Sequence, residues 1–110
     1  MLVVQTTIPV DESQFEEATT AARRVAAASR EESGTLGYVA ATTVGDDPAL
    51  VFVERYEDVD AARSHQDTDH YAAFVDAVCE FADGQTTTHQ YEVANHEAVT
   101  FTTAELRDSI

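Results

Sequence analysis

The sequence predicts an α+β fold in which one antiparallel sheet packs against helices. Three observations support this class: segments whose apolar residues alternate, segments whose apolar residues recur every three or four positions, and a turn-forming cluster between two β-rich runs. With 110 residues, the chain is long enough for one domain with a single core. We therefore expect one domain over residues 1–110, with an unassigned tail after about residue 103.

The first two predicted elements are a strand and an amphipathic helix. Apolar or β-branched side chains alternate over residues 2–8, and this strand ends at Pro9 because proline has no N–H to donate to a sheet ladder. A helix follows, with Asp11 or Ser13 accepting from the free amides of its first turn and Gly34 as its stop. Its predicted buried stripe consists of Phe15, Ala18, Ala22, Val25 and Ala26.

A β-hairpin forms the centre of the predicted fold. Residues 35–44 and 50–56 are rich in β-branched and aromatic side chains, and residues 45–48 between them (GDDP) favour a turn. A last strand is predicted over residues 86–101, which are rich in Thr, Val, Tyr and Phe, with a bend near residues 94–96.

Two helices lie between the hairpin and the last strand in this prediction. The first is short and ends at about His65, and the second covers about residues 70–82 with apolar side chains at helical spacing. Cys79, the only cysteine, belongs to that apolar set, so we expect it to fill the core. The candidate N-caps of the two helices are Asp58 or Asp60 and Thr68 or Asp69.

The resulting order, β-α-β-β-α-β with the second helical region split, is the ferredoxin-like motif. Helices cover one face of its sheet, and the other face needs a cover from elsewhere. A second copy of the same face is the simplest cover, because a two-fold interface pairs one patch with itself. The element order therefore predicts a homodimer, forming a dimeric α+β barrel.

Charge is the strongest compositional signal. The chain has 21 Asp and Glu residues and only six Lys and Arg residues, all of them Arg, which gives a formal net charge of −15. Such a surface stays hydrated in concentrated salt, so we interpret the chain as a halophile's cytoplasmic protein. Nucleic-acid binding is disfavoured because few cations could neutralise phosphates. The acidic pairs at residues 11–12, 16–17, 31–32 and 46–47 are expected at the solvated surface.

Membrane insertion and export are also disfavoured by the sequence. No apolar run is long enough to cross a bilayer, and residues 1–5 lack the basic region of a leader peptide. We therefore expect an intracellular protein without a membrane partner.

Three short segments carry a family resemblance. Residues 32–38 (ESGTLGY), 52–58 (FVERYED) and 65–74 (HQDTDHYAAF) occur in an order and at separations that resemble the antibiotic biosynthesis monooxygenase family. The resemblance extends over roughly residues 1–100 and is to the quinol-monooxygenase-like branch of these small dimeric α/β-barrel proteins.

The resemblance implies oxygenation of an electron-rich aromatic, such as a quinol or an anthrone, with no cofactor. In that chemistry the substrate supplies the electrons, because removing a phenol or enol proton gives an anion that can reduce oxygen. The protein contributes a dry pocket and groups that handle protons. The implied partner is therefore a small aromatic ligand.

Candidate site residues follow from the same resemblance. His65 matches a histidine common in the quinol-type branch and is the predicted catalytic residue. Tyr56 stands where anthrone-oxidising members have a site Trp, whereas Phe52 and Ala62 replace their functional Asn and Tyr, which argues against anthrone oxidation. The predicted substrate-binding residues are Tyr38, Phe52, Tyr56, Tyr71 and Phe74, although aromatic residues at these periods are also typical of plain core filling.

Other chemistries are disfavoured. Haem-degrading relatives use an axial His where this chain has Phe74, and an Asn for which only Thr6 or Thr7 is available. His65 and His70 are five residues apart and would face different ways on a continuous helix, so no metal site is predicted. The remaining alternative is a non-catalytic module of the same fold that binds a small molecule or acts as a stress-related partner.

Overall fold

The computed structural model describes residues 1–45 and 47–110, and it contains a four-stranded antiparallel sheet. The strands and helices confirm the predicted ferredoxin-like α+β class. The predicted turn at 45–48 and the acidic pair at 46–47 include Asp46, which lies outside the described residues. The strands are β1 (Leu2–Pro9), β2 (Thr35–Thr42), β3 (Ala49–Tyr56) and β4 (Thr87–Glu92), and the helices are α1 (Phe15–Arg30), α2 (Val59–Gln66), α3 (Asp69–Phe81) and α4 (Thr103–Asp108). Within the sheet the strands lie in the order β2-β3-β1-β4.

The two central strands place their even-numbered residues toward the helices. Leu2 and Ile8 of β1 and Leu50 and Phe52 of β3 are buried, as strand alternation requires for one covered face. The register sets Thr6 opposite Phe52 on one side and opposite Thr88 on the other. Thr88 therefore lies on the helix side of the sheet, although every residue of β4 is exposed.

Helix α1 forms as its apolar stripe predicts. Asp11 accepts a hydrogen bond from the Ser13 amide in a single turn of 3-10 helix, Glu12–Gln14, that leads into the helix. Its inward positions Ala18, Ala22, Val25 and Ala26 are buried, and Phe15 packs against them. Small side chains on this stripe let α1 lie close to α3 and the sheet.

The last strand is shorter than the sequence predicts. Glu92 pairs with Leu2, the first residue of β1, and Val93 exchanges backbone hydrogen bonds with Met1, so β1 does not extend beside the residues that follow. Residues 93–101 consequently form no strand, and the unassigned tail contains α4, capped by Thr102. Prediction of a strand to residue 101 was therefore wrong.

Cys79 does not fill the core. Its side chain is exposed, because Phe74, Ala77, Val78 and Phe81 form the face of α3 that packs inward. Cys79 follows Val78 by one residue, which turns it about 100° away around the helix.

The second face of the sheet is open in the single chain. Val39 and Val53, which pair across β2 and β3, are 54% and 37% exposed, and Tyr91 of β4 is 49% exposed. We call Val3, Val39, Val51, Val53 and Tyr91 the open face. Among the described residues, no helix has the length and apolar character needed to cross a bilayer.

Candidate functional site

A cavity of about 240 Å³ lies between the sheet and helices α2 and α3. Strands β1, β2 and β3 form one wall, and the two helices form the other. The third side is formed by β4, at the edge of the sheet, and by the residue before it. Thr86, Thr88 and Gln90 line the cavity there and are exposed. A ligand can therefore enter beside β4.

The structure brings all the sequence-predicted site residues to this one cavity. Three of them, Tyr38, Phe52 and Tyr56, come from the inward face of β2 and β3 and are almost fully buried. The other three come from α2 and α3 and complete the opposite wall; they are His65, Tyr71 and Phe74.

His65 lies at the centre of the helix wall. It is 3% exposed, and its ring centroid lies 5.4 Å from that of Tyr38, 5.7 Å from Tyr56 and 5.1 Å from Tyr71. Aromatic rings on three sides hold the imidazole in one orientation. The residue is thus a buried polar side chain packed among aromatic rings.

The two ring nitrogens of His65 have different surroundings. Nδ1 lies 2.9 Å from Oε2 of Glu32, whereas Nε2 has no hydrogen-bond partner among the described residues and lies 3.9 Å from Oε1 of Glu54. Because an ionised carboxylate only accepts, the Glu32 contact favours the tautomer with its proton on Nδ1. Nε2 is then the basic nitrogen, on the side of the ring toward Glu54.

A break between α2 and α3 sets this geometry. Thr68 Oγ1 donates to the carbonyl of His65 over 2.7 Å and accepts from the amide of Tyr71 over 3.2 Å, so it ends one helix and begins the next. Asp58 caps the start of α2 by accepting from the amide of Ala61.

The same break overturns the expectation that His65 and His70 face apart. His70 Nε2 lies 2.6 Å from Oε2 of Glu32, the oxygen that His65 Nδ1 also contacts. Glu32 is correspondingly not a solvated member of an acidic pair, since only 16% of its side chain is exposed. The helical-face argument failed because it assumed one continuous helix.

Glu54 is the second buried carboxyl of the site. It is 9% exposed, lines the cavity and accepts a hydrogen bond from the Tyr56 hydroxyl. Burial raises the pKa of Glu54 above its usual value, although the Tyr56 hydrogen bond and the neighbouring His65 oppose that increase. Glu54 can therefore hold a proton more readily than a surface carboxylate.

The two tyrosines of the strand wall remain neutral. Burial raises the pKa of Tyr38 well above the usual tyrosine range, and the charge of Glu54 adds to the effect. Burial also raises the pKa of Tyr56, with the Glu54 hydrogen bond as the next cause. Both hydroxyls are poor bases. Tyr38 can donate a hydrogen bond to a ligand, whereas Tyr56 already donates its one hydroxyl proton to Glu54.

Sequence reasoning missed Glu32 and Glu54. A signal for Glu54 was present, because it falls between Phe52 and Tyr56 on the alternating face and is buried by the same period. Glu32 carried no such signal, since its contacts depend on where α2 and α3 pack relative to the turn after α1.

Comparison with known proteins adds a family to this geometry. No curated protein sequence matches the chain. Among solved structures, a candidate antibiotic biosynthesis monooxygenase from Nitrosomonas europaea is 22% identical with a TM-score of 0.81, covering 86% of this chain and 100% of its own. A Bacteroides thetaiotaomicron protein of unknown function is also 22% identical, with a TM-score of 0.77 and coverages of 84% and 96%.

A third solved structure has the highest identity of the three. A Pseudomonas aeruginosa protein is 26% identical, with a TM-score of 0.76 and coverages of 84% and 94%. These likenesses support the fold. The sequence model of the family described as antibiotic biosynthesis monooxygenase matches residues 1–77, a span that runs from β1 into α3 and contains every predicted site residue. The chain therefore belongs to the antibiotic biosynthesis monooxygenase family.

Proposed function

We propose that this protein is a cofactor-independent monooxygenase of the quinol type, acting on a small reduced aromatic. The observation that carries the proposal is a buried histidine in the wall of an aromatic cavity, whose Nε2 has no hydrogen-bond partner among the described residues. In this proposal His65 is the catalytic base. The residues that shape the substrate pocket are Tyr38, Phe52, Tyr56, Tyr71 and Phe74.

The first step is removal of a phenolic proton. The substrate hydroxyl transfers its proton to Nε2 of His65. The imidazolium that forms is stabilised by Glu32, whose Oε2 lies 2.9 Å from Nδ1 of His65. Because the His65 ring is buried, its ion pair with Glu32 is stronger than the same pair would be in water. The product of the step is a phenolate, which can pass electrons to oxygen.

The overall reaction balances without another reductant. A hydroquinone and one O₂ give a hydroxyquinone and one water: one oxygen atom forms a new C–O bond, and the other leaves as water with two protons. The substrate loses four electrons, which are the four that O₂ accepts. The neutral hydroxyl of Tyr38 can donate a hydrogen bond to an oxygen of the bound ring.

Cavity size favours small quinols. An apolar cavity of about 150 Å³ admits benzene in other proteins. The cavity here, at about 240 Å³, suits a one-ring or two-ring quinol better than a three-ring anthrone. Phe52 and Ala62, which stand in place of the polar groups of anthrone-oxidising members, support the same preference.

The test is oxygen uptake by chelator-treated protein in molar salt with one-ring and two-ring hydroquinones. We expect one O₂ consumed per quinol, one labelled oxygen atom from ¹⁸O₂ in the product, and no hydrogen peroxide. His65→Ala should lower the rate by about 10²–10⁴-fold, as loss of a general base does. His89→Ala is the matched control, because His89 is exposed on β4 and does not line the cavity.

Two outcomes would contradict the proposal. A rate unchanged in His65→Ala would remove His65 from the reaction. A folded protein that consumes no oxygen with any quinol, yet gains thermal stability from one of them, would instead be the non-catalytic binding module.

We further propose that the protein works in the salty cytoplasm of a halophile and that it is a homodimer. The net charge of −15 and the exposed open face support these two proposals respectively. Thermal unfolding followed from molar to millimolar KCl tests the first of them. We expect the melting temperature to fall steeply as salt is removed, and a constant melting temperature would contradict it.

A further inference from the structure

We propose that Glu32, His65 and His70 form a binding site for a divalent transition-metal ion such as Zn²⁺, behind the cavity. Oε2 of Glu32 lies 2.9 Å from Nδ1 of His65 and 2.6 Å from Nε2 of His70, and the three atoms all lie within 4.8 Å of one another. The three ligands come from separate places in the chain: the turn after α1, the last turn of α2 and the first turn of α3.

The donor set suits zinc. Two imidazole nitrogens and one carboxylate oxygen are borderline donors, and three protein ligands leave a fourth position for water. Ligand atoms around tetrahedral zinc lie roughly 3.4 Å apart. Binding therefore needs the Glu32 carboxylate to retreat by less than about 1 Å, and the two imidazole nitrogens, which lie within 4.8 Å of each other, to adopt the same spacing. Glu32 has room for that movement because it lies in a turn at the surface and is partly exposed.

His65 provides the second, independent observation. Its Nε2 is buried and has no hydrogen-bond partner among the described residues, while Oε1 of Glu54 is 3.9 Å away. A metal on Nδ1 obliges the ring to carry its proton on Nε2, where it can donate to Glu54. Metal-bound histidines commonly donate their other N–H to a carboxylate in this way.

The ion would not touch a ligand in the cavity. Neither Glu32 nor His70 lines that cavity, so a metal on Nδ1 lies on the far side of the His65 ring. The bound ion should inhibit the proposed reaction, a consequence that rests on the proposed function. With its proton moved to Nε2, His65 can no longer accept one from substrate.

Calorimetric titration of the chelator-treated protein with Zn²⁺ tests the binding itself. We expect one equivalent of Zn²⁺ per chain, and at least about 100-fold weaker binding in His70→Gln and in Glu32→Gln. Even the loss of a residue that only hydrogen-bonds to a metal ligand lowers metal affinity by about 10–100-fold. His89→Gln is the matched control, because His89 is an exposed histidine on β4 outside the cluster. Absence of saturable binding, or equal affinity in His70→Gln, would overturn the site and leave a cluster held by hydrogen bonds alone.

Nitrogen NMR of the wild type decides the question even if a variant fails to fold. Zn²⁺ should shift Nδ1 of His65 and Nε2 of His70, with the His65 proton found on Nε2, and should leave His89 and His96 unchanged. Shifts confined to His89 or His96 would overturn the proposal. Neither experiment depends on oxygen uptake, so loss of the proposed oxygenase activity and loss of the metal site are separately visible.

Discussion

Glu54 links burial to pH-dependent stability. Because burial raises its pKa above the usual value, the folded state favours the protonated carboxyl. Its contribution is fully present below the ordinary glutamate range and is lost as pH rises through the raised value. In metal-free protein, we expect wild type to lose stability relative to Glu54→Gln with increasing pH, measured by urea unfolding at constant high salt.

A matched variant separates this effect from simple loss of charge. Glu57→Gln removes an exposed carboxyl from the same segment of the chain. A wild type that gains stability relative to Glu54→Gln as pH rises would contradict the direction assigned to Glu54.

Gly34 is required by a close approach between a turn and α2. A Cβ at this position would overlap the Cβ of Ala61 and lie 3.3 Å from its Cα. We expect Gly34→Ala to lower the free energy of unfolding by about 1–3 kcal/mol, as overpacking does, and to displace α2 together with His65. Chemical denaturation measures the loss.

A double-mutant cycle tests the cause. Ala61→Gly alone should cost about 1 kcal/mol through helix propensity. The double variant Gly34→Ala/Ala61→Gly lacks the overlapping methyl group. Its loss in free energy of unfolding should therefore be smaller than the sum of the losses in the two single variants. Strict additivity would show that the two positions do not collide.

Residue-level prediction worked where a local period decides burial. The burial of Phe52 and Tyr56 followed from alternation in β3. The same rule predicts that Glu54, which lies between them, is buried despite its charge. Glu32 was not predictable, because nothing local distinguishes it from its exposed neighbour Glu31. Its role depends on two histidines more than thirty residues away.

Thr68 is the element-scale determinant of the site. Its hydroxyl joins the end of α2 to the start of α3, and the break between them directs His65 and His70 toward Glu32. We expect Thr68→Ala to lower the free energy of unfolding by about 1 kcal/mol, the usual value of an N-cap. Thr68→Ser keeps the hydroxyl and should retain most of the stability.

Thr102→Ala is the matched control for that prediction. Thr102 caps α4 with the same side-chain hydrogen bond, but all residues of α4 are exposed. Loss of this cap should leave global unfolding nearly unchanged. If Thr68→Ser were as unstable as Thr68→Ala, the hydroxyl would not be the stabilising group.

Element prediction succeeded where flanking signals were strong. The hairpin strands, the stripe of α1 and the Thr68 cap all have local causes, so they could be located from sequence. The predicted last strand was too long because β propensity over residues 93–101 needs a partner strand, and β1 begins only at Leu2, opposite Glu92. Tertiary pairing, which the sequence does not display, set its end.

At the scale of the whole molecule, a single chain leaves much apolar surface unburied. Its radius of gyration is 15.7 Å, against about 13 Å for a compact domain of this length. Besides the open face, the segment after β4 exposes Val99, Phe101 and Leu106. Both features are consistent with the proposed homodimer.

The open face gives that proposal its test. If two copies pack sheet to sheet, Val53 lies within the contact, and Val53→Glu buries two unpaired carboxylates in each symmetric dimer. An uncompensated buried charge costs about 3–5 kcal/mol, so we expect the dimer to weaken by at least about 100-fold in sedimentation equilibrium at molar salt. Val44→Glu adds the same charge at an exposed position near the end of the hairpin, away from the sheet face, and should leave association unchanged. A monomeric wild type, or equal effects of the two variants, would show that this face is not the interface; the exposed segment after β4 would then be the surface to alter next.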